Sequence, residues 1–285
     1  MRPSRTAQFV ALYRALETDE MRREPMFRDP LAMSFVPAYL ALMVRLARTP
    51  GLRGLLERYA DHRAPGGRTS AICRTRFIDD AVRREVEAGT RQLVLLGAGF
   101  DCRAHRLPEL RDTRVFEVDR RQTQTHKRSV IERQTGTRPV SYVEVDFQRD
   151  DLRTRLVQAG WNAAERTTFV WEGVTPYLNQ SAVEGVLALV GSTPSGSALV
   201  FTYVHRGVLD GSAHFAGANK VMSVVRRMGE PWSFGIMPEE LADFVARFGL
   251  ELLEDLGADE YRTRYPWTHG VSGYAFYRIA IVRVR

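Results

Sequence analysis

The chain predicts an α/β fold: a mostly parallel sheet with helices on both faces and an antiparallel last strand. Three observations lead there. Apolar runs near 92–97, 113–118, 140–145, 168–172 and 197–203 alternate with helical stretches, and repeated strand–helix units of this kind lay strands in parallel and cover both sides of the sheet. The first run breaks at Gly97-Ala98-Gly99, a glycine turn between strand and helix. A final strand over 273–283, in GYAFYRIAIVRV, alternates strongly and follows the run at 250–256 without a crossover helix, which suits antiparallel pairing.

Taken in order, residues 1–68 read as helical and as a cap or lid. Apolar positions at helical spacing (Phe9, Val10, Leu12, Tyr13, Leu16) mark a helix over 6–17. Asp29-Pro30 is a helix start, with Asp as cap and Pro at the first helical position. Pro37 interrupts, the pattern resumes over 39–46, breaks at Pro50-Gly51 and returns over 52–59 before a loop at 64–67. The second unit, 69–285, opens with a helix over 74–88 stopped at Gly89. Ser181 and Glu184 are spaced as a capping box for a helix over 181–190. Pro238 opens a helix to Phe248, and Gly249 ends it.

The 285 residues suit one large α/β domain with additions. No stretch approaches the roughly 18 apolar residues of a membrane span. The N-terminus carries acids where a signal peptide has its apolar core, and Cys73 and Cys102 are the only cysteines, so a reducing cytoplasm is expected. The net charge of +7 would by itself suit nucleic acid or acidic surfaces. Lys127 and Lys220 are the only lysines, however, and the arginines are scattered, so neither nucleic acid nor membrane is expected as a partner. With no HExxH, CxxC pair or acid-rich calcium loop, no metal is expected either.

Chemistry concentrates in residues 91–119. A strand, a glycine turn, a helix and a second strand ending on Asp119 make a nucleotide-type site. The glycines let backbone approach the ligand, and the terminal acid takes both ribose hydroxyls. A dinucleotide fingerprint needs a third glycine where the pyrophosphate meets the helix. It is absent here, and Asp101 stands in the diphosphate's path. S-adenosylmethionine, cationic and phosphate-free, fits that charge better than NAD. Plainer explanations exist for each residue: a tight turn, a helix-capping acid, Arg74 and Arg76 pairing with Asp79 and Asp80, an acidic surface turn at Asp146. They leave unexplained the acids at three successive strand tips, Asp119, Asp146 and Glu172.

LGAGFDCRAHRL followed by FEVD is similar to the LGAGxDTRxxRL…EVD signature of the leucine carboxyl methyltransferase superfamily. SRTAQFVALYRA, FRDPLA, ICRTRFIDD, VEVDF, WEGVTPYL, GEPWSFGI and PEELADFVARFGLELLEDL extend the resemblance over nearly the whole chain, closest to the tetracenomycin-type polyketide O-methyltransferases. The resemblance implies a class I methyltransferase, a Rossmann-like sheet of seven strands with an N-terminal helical cap, an acceptor-pocket insertion near 204–236, and S-adenosyl-L-methionine as cofactor. It implies that Arg74, with Arg76 as its competitor, holds the methionine carboxylate, since a guanidinium pairs bidentately with such a group. Gly97 and Gly99 would face the methionine, Asp101 the sulfonium or ammonium, Asp119 the ribose diol and Asp146 the adenine amino group. Phe147 would lie beside the ring and Glu172 near the ammonium. Cys102 departs from the family's usual threonine.

Trp232, Phe234, Tyr261, Tyr265 and Trp267 either line a flat acceptor pocket or belong to the core. A carboxylate acceptor needs no base, whereas a phenol or alcohol usually does. His205, after the fifth strand in TYVHR, is the candidate base, with His214 second. Tyr203 and Tyr177 are candidates to orient the acceptor, and Arg206 to attract an anionic one. The expected function is O-methylation of a small molecule, polyketide-like or another secondary metabolite. A carboxyl group is preferred over a hydroxyl, and the basic charge also suits an acidic carrier protein presenting a tethered acceptor. The alternatives are a non-catalytic cofactor- or partner-binding descendant and an NAD(P)-dependent oxidoreductase.

Overall fold

The computed structural model describes residues 5–18, 25–46, 65–134, 136–265 and 273–285, together with residues 51, 52, 54, 55, 58 and 62. Seven strands form one sheet: β1 (Gln92–Leu96), β2 (Arg114–Asp119), β3 (Ser141–Glu144), β4 (Thr167–Trp171), β5 (Ala198–Val204), β6 (Leu250–Leu256) and β7 (Tyr277–Val284). Their order is β3-β2-β1-β4-β5-β7-β6. The first five run parallel, and β7 is antiparallel to both β5 and β6. The order therefore reverses between β1 and β4, and ligands in such sheets bind at the carboxyl ends of the strands beside that switch.

Alternate strand residues serve opposite faces. Val94, Leu96, Phe116, Val118, Phe169 and Phe201 pack under the helices Leu152–Gln158, Gln180–Gly191 and Leu241–Ala246. Leu93, Leu95, Val115, Val170 and Val200 pack on the other side, under the helices Gly67–Glu87 and Ala258–Thr263. With both faces dry, β1, β4 and β5 are buried throughout, which is why they read as continuous apolar runs.

Local details depart from the sequence expectations for identifiable reasons. The helix expected over 74–88 starts at Gly67, seven residues earlier, because its polar first turns (GRTSA) are buried and carry no apolar periodicity. The helix Gln180–Gly191 is capped by Asn179, whose side chain accepts from the Ala182 N–H at 2.9 Å, so the Ser181/Glu184 capping box does not form. Glu184 instead accepts from Gln180 Nε2 at 2.9 Å. Asp29 does cap, accepting from the Ala32 N–H at 3.1 Å, but the turn it opens is a 3-10 turn over Ala32–Phe35. Pro238–Glu240 is likewise a 3-10 turn leading into Leu241–Ala246, and β7 begins at Tyr277 rather than 273. The helix expected over 52–59 lies partly outside the described residues, and Trp267 lies wholly outside them.

Two N-terminal helices, α1 (Arg5–Thr18) and α2 (Ala38–Leu46), precede the sheet. Ala11 and Ala15 of α1 share a buried cluster with Phe35, Phe100, Cys102 and Val130, and the Arg14 guanidinium donates to the Phe100 carbonyl. These contacts seat α1 directly over the glycine turn. Among the described residues no helix is long and apolar enough to cross a membrane.

Candidate active site

A cavity of about 1070 Å³ opens at the carboxyl ends of β1, β2 and β4 and is bounded on its far side by α1 and the helix Ala218–Arg227. Single ligand pockets span about 300–1,000 Å³, so this one has room for more than one small molecule. Gly97, Gly99, Asp101, Asp119, Phe147 and Glu172 all line it.

Glycine is required at 97. Its φ is +66°, and a Cβ there would lie 2.3 Å from Val174 Cγ2, so backbone passes where no side chain fits. The Gly99 N–H donates to Asp119 Oδ2 and the Arg120 N–H to Asp119 Oδ1, each at 2.7 Å. Burial raises the Asp119 pKa, and these two donors work against that rise.

Below the turn lies a buried ion network centred on Arg103, which is fully buried. Its Nη1 donates to Asp101 Oδ2 and, at 2.8 Å, to Glu172 Oε2, while its Nε donates to Asp79 Oδ1 at 2.8 Å. Arg106 holds Asp79 through two bonds of 2.6 and 2.7 Å, and Arg74 Nε donates to Glu172 Oε1 at 2.7 Å. Lys127 Nζ lies 2.6 Å from Glu117 Oε2 and donates to the Asp101 carbonyl. Burial would raise the Asp101 pKa, but Arg103 foremost holds it well below the usual carboxylate range. For Glu117 burial outweighs Lys127 and pushes the carboxyl up to about 7. Asp101 and Glu172 are thus not free negative charges awaiting a cation. Both are neutralised within the protein, whereas Asp119 makes no ion pair among the described residues and accepts from two backbone N–H groups.

Other expected residues divide between cavity and core. Arg74 faces the cavity, stacks over Tyr277 at 4.9 Å, and among the described residues finds no acceptor for either Nη. Arg76 turns away: its Nε donates to both Asp80 oxygens at 2.9 Å and its Nη1 to the Met26 carbonyl at 2.7 Å. Phe147 lines the cavity against Trp171, with ring centroids 6.2 Å apart. Asp146 does not line it; its carboxylate accepts from the Gln148 N–H at 3.1 Å and lies 3.6 Å from Arg120. Tyr177 faces the cavity, its phenol pushed by burial up to about 12. Tyr203 does not line the cavity; it is fully buried in the core and donates to Asp255 Oδ2 at 2.8 Å. His205 is also away from the cavity, its Nδ1 accepting from the Gly207 N–H at 3.0 Å and its ring 4.9 Å from Phe215. Arg206 pairs with Glu240 at the surface, and His214 is not a lining residue. Of the aromatics, Trp232 alone lines the cavity; Phe234 and Tyr261 are core, and Tyr265 bonds Asp80.

Sequence reasoning missed Arg103, Tyr277, Glu230 and Thr6. Arg103 stands in DCRAHRL, where a basic residue in a stretch bound for the interior was the available signal. Glu230 lies in the GEPWSFGI block, and Tyr277 opens the last strand. All but Arg103 line the cavity.

Comparison with known proteins follows the same lines. The profile of the family described as leucine carboxyl methyltransferase matches residues 7–191. A Frankia alni protein named as an S-adenosyl-L-methionine-dependent methyltransferase is 34% identical over 267 residues, covering 90% of each chain. A Streptomyces coelicolor protein of the same designation is 37% identical over 207 residues, covering 72% of this chain and 70% of its own. Among solved structures, a methyltransferase from Thermobifida fusca superposes with a TM-score of 0.58 at 18% identity, covering 98% of this chain and 95% of its own. A protein of Streptomyces avermitilis superposes at 0.59 with 16% identity, covering 99% and 98%. These last two share the fold.

Proposed function

The chain belongs to the leucine carboxyl methyltransferase family and is an S-adenosylmethionine-dependent methyltransferase, and from that premise we propose that it methylates an oxygen of a small molecule bound beside the cofactor. The observation that carries the reading is one cavity with two unlike halves: a glycine turn with acid and guanidinium groups, and a wall of aromatic and aliphatic side chains. The first half suits the cofactor. Arg74 offers two unpaired Nη donors to the methionine carboxylate, a fork that matches such a group. Asp119 lies beside Gly99 to take the ribose hydroxyls, and Val145, Phe147 and Leu178 offer an apolar surface to the adenine. Asp146 is better read as holding its own turn than as an adenine ligand.

When bound, the cofactor supplies an already activated methyl group, so the protein's work is alignment and exclusion of water. Residues 1–68 serve as the lid for that purpose, with α1 over the turn, and the segment near 204–236 supplies the far wall through the helix Ala218–Arg227 and Trp232. The exposed Arg120 and Lys220 at the rim suit an acidic carrier protein presenting the acceptor, in a cytoplasmic pathway of secondary metabolism.

Titration calorimetry with S-adenosylhomocysteine tests the cofactor half. Asp119→Ala should weaken binding by about 1–3 kcal/mol through lost ribose hydrogen bonds. Unchanged affinity, or tight NADH binding in its place, would overturn the assignment. Product labelled from methyl-labelled cofactor tests the acceptor atom, since oxygen methylation gives a base-labile ester or a base-stable ether.

A further inference from the structure

Among the described residues four acids line the cavity, and three of them are compensated. Glu172 is held by Arg74 and Arg103, Asp101 by Arg103, and Asp119 by two backbone N–H groups. Glu230 is different. It lines the cavity together with Tyr177, Val224, Met228, Trp232 and Tyr274, part of the cavity's aromatic and aliphatic wall. No arginine or lysine among the described residues pairs with it, and its one hydrogen bond is from the Thr6 hydroxyl at 2.6 Å. Lys220, the other charge on this side, gives its ammonium to the His62 carbonyl at 2.8 Å. A half-buried carboxylate with a single neutral donor has acceptor capacity to spare, and apolar surroundings make an added negative charge costly there.

Building on the reading of the cavity as a methyltransferase site, we propose that its acceptor is a hydrophobic aromatic compound presented through a neutral hydroxyl, and that Glu230 receives the hydroxyl proton. The O–H bond breaks, its electron pair stays on the acceptor oxygen, and the proton passes to a Glu230 carboxylate oxygen, which later releases it to water. Thr6 holds that carboxylate in place through its hydroxyl. Tyr177 also lines the cavity, and the burial that pushes its phenol up to about 12 keeps it protonated. Glu230 takes the place that the sequence suggested for His205, and a hydroxyl replaces the carboxyl that the sequence favoured, because a carboxylate acceptor would have to sit against Glu230 without an intervening cation.

The test uses the full chain saturated with S-adenosylhomocysteine and three probes sharing one ring: 2-naphthol, 2-naphthoate and 2-naphthylmethylammonium, titrated at neutral pH. Wild type should hold naphthol about tenfold or more tighter than naphthoate, since like charges brought together in an interface are strongly disfavoured. Glu230→Gln should narrow that gap while leaving S-adenosylhomocysteine affinity unchanged. Naphthoate bound equally or better, the ammonium bound tightest, no probe bound at all, or a gap untouched in Glu230→Gln would each overturn the proposal. Should Glu230→Gln fail to fold, the wild-type order of the three probes decides by itself. Failure of S-adenosylhomocysteine to bind wild type would instead strike the methyltransferase reading on which this one rests.

Discussion

Replacing Arg103 by Leu removes the hub of the buried network while keeping an apolar side chain in its place. Its three carboxylate partners do not suffer equally. Asp79 keeps Arg106 through bonds of 2.6 and 2.7 Å, and Glu172 keeps Arg74 at 2.7 Å. Asp101 keeps only the backbone N–H of residue 103, at 2.8 Å. The cost therefore concentrates on one buried charge, and removing one partner of such a pair costs about 3–5 kcal/mol. Against a typical domain stability of about 5–15 kcal/mol the variant should fold with a reduced margin. Urea unfolding at several pH values measures it. In wild type the Asp101 pKa is depressed, foremost by Arg103 against the effect of burial, so its contribution is present above the ordinary carboxylate value near 4 and fades as pH falls below it. In the variant only Arg14, Lys127 and Arg106, which act on Asp101 less strongly than Arg103, still oppose burial, so the folded pKa rises from its wild-type position. The variant lacks the contribution that wild type loses in acid, so the gap to wild type narrows as pH falls below the ordinary carboxylate value. The double variant with Asp101→Asn should recover most of the loss. A gap below about 1 kcal/mol, or one that ignores pH, would mean that Arg103 is not what neutralises Asp101.

Three further outcomes are expected. Arg74→Ala should weaken S-adenosylhomocysteine binding by about tenfold or more in calorimetry, and Arg76→Ala should leave it within about twofold, since Arg76 is spent on Asp80 and Met26. Glu117 has a pKa raised to about 7 by burial, so its contribution is fully present below the unfolded value near 4.3 and is lost as pH rises through 7. Glu117→Gln should flatten the decline in melting temperature between pH 5 and 8, and an unchanged slope would show that Glu117 does not titrate there. His205→Ala should leave methyl transfer to any accepted substrate within about twofold, because the imidazole faces Phe215 and Gly207 rather than the cavity; a loss of 10²-fold or more, the scale of an absent general base, would restore it as the catalytic base.

Much of the fold was legible because its signals are local. Buried parallel strands need apolar side chains on both faces, so β1, β4 and β5 announce themselves within a few residues of their ends. The turn at Gly97 was equally plain, since a positive φ pressed against Val174 admits glycine and little else. Asp119 ends its strand one residue into the site, and nothing beyond strand period and turn length was needed to find it. Helix starts were less legible: the buried polar turns at 67–73 carry no apolar rhythm, and Asn179 outcompeted Ser181 for the cap.

The sequence by itself determined the α/β order, the glycine turn, the acid at the second strand's tip and the family signature. Tertiary structure alone decided which of two neighbouring arginines faces the cavity, because residues two apart on a helix point to nearly opposite sides and only packing shows which side that is. It also decided that Tyr203 faces a core and not the site, since it shares its sheet face with Leu199 and Phe201. Above all it decided where charge goes. Arg103 meets Glu172 across 69 residues of chain, and Thr6 meets Glu230 across 224. Coulomb and hydrogen-bond energies depend on distance in space, so which acids are neutralised and which one is left free to act becomes visible only once the chain is folded.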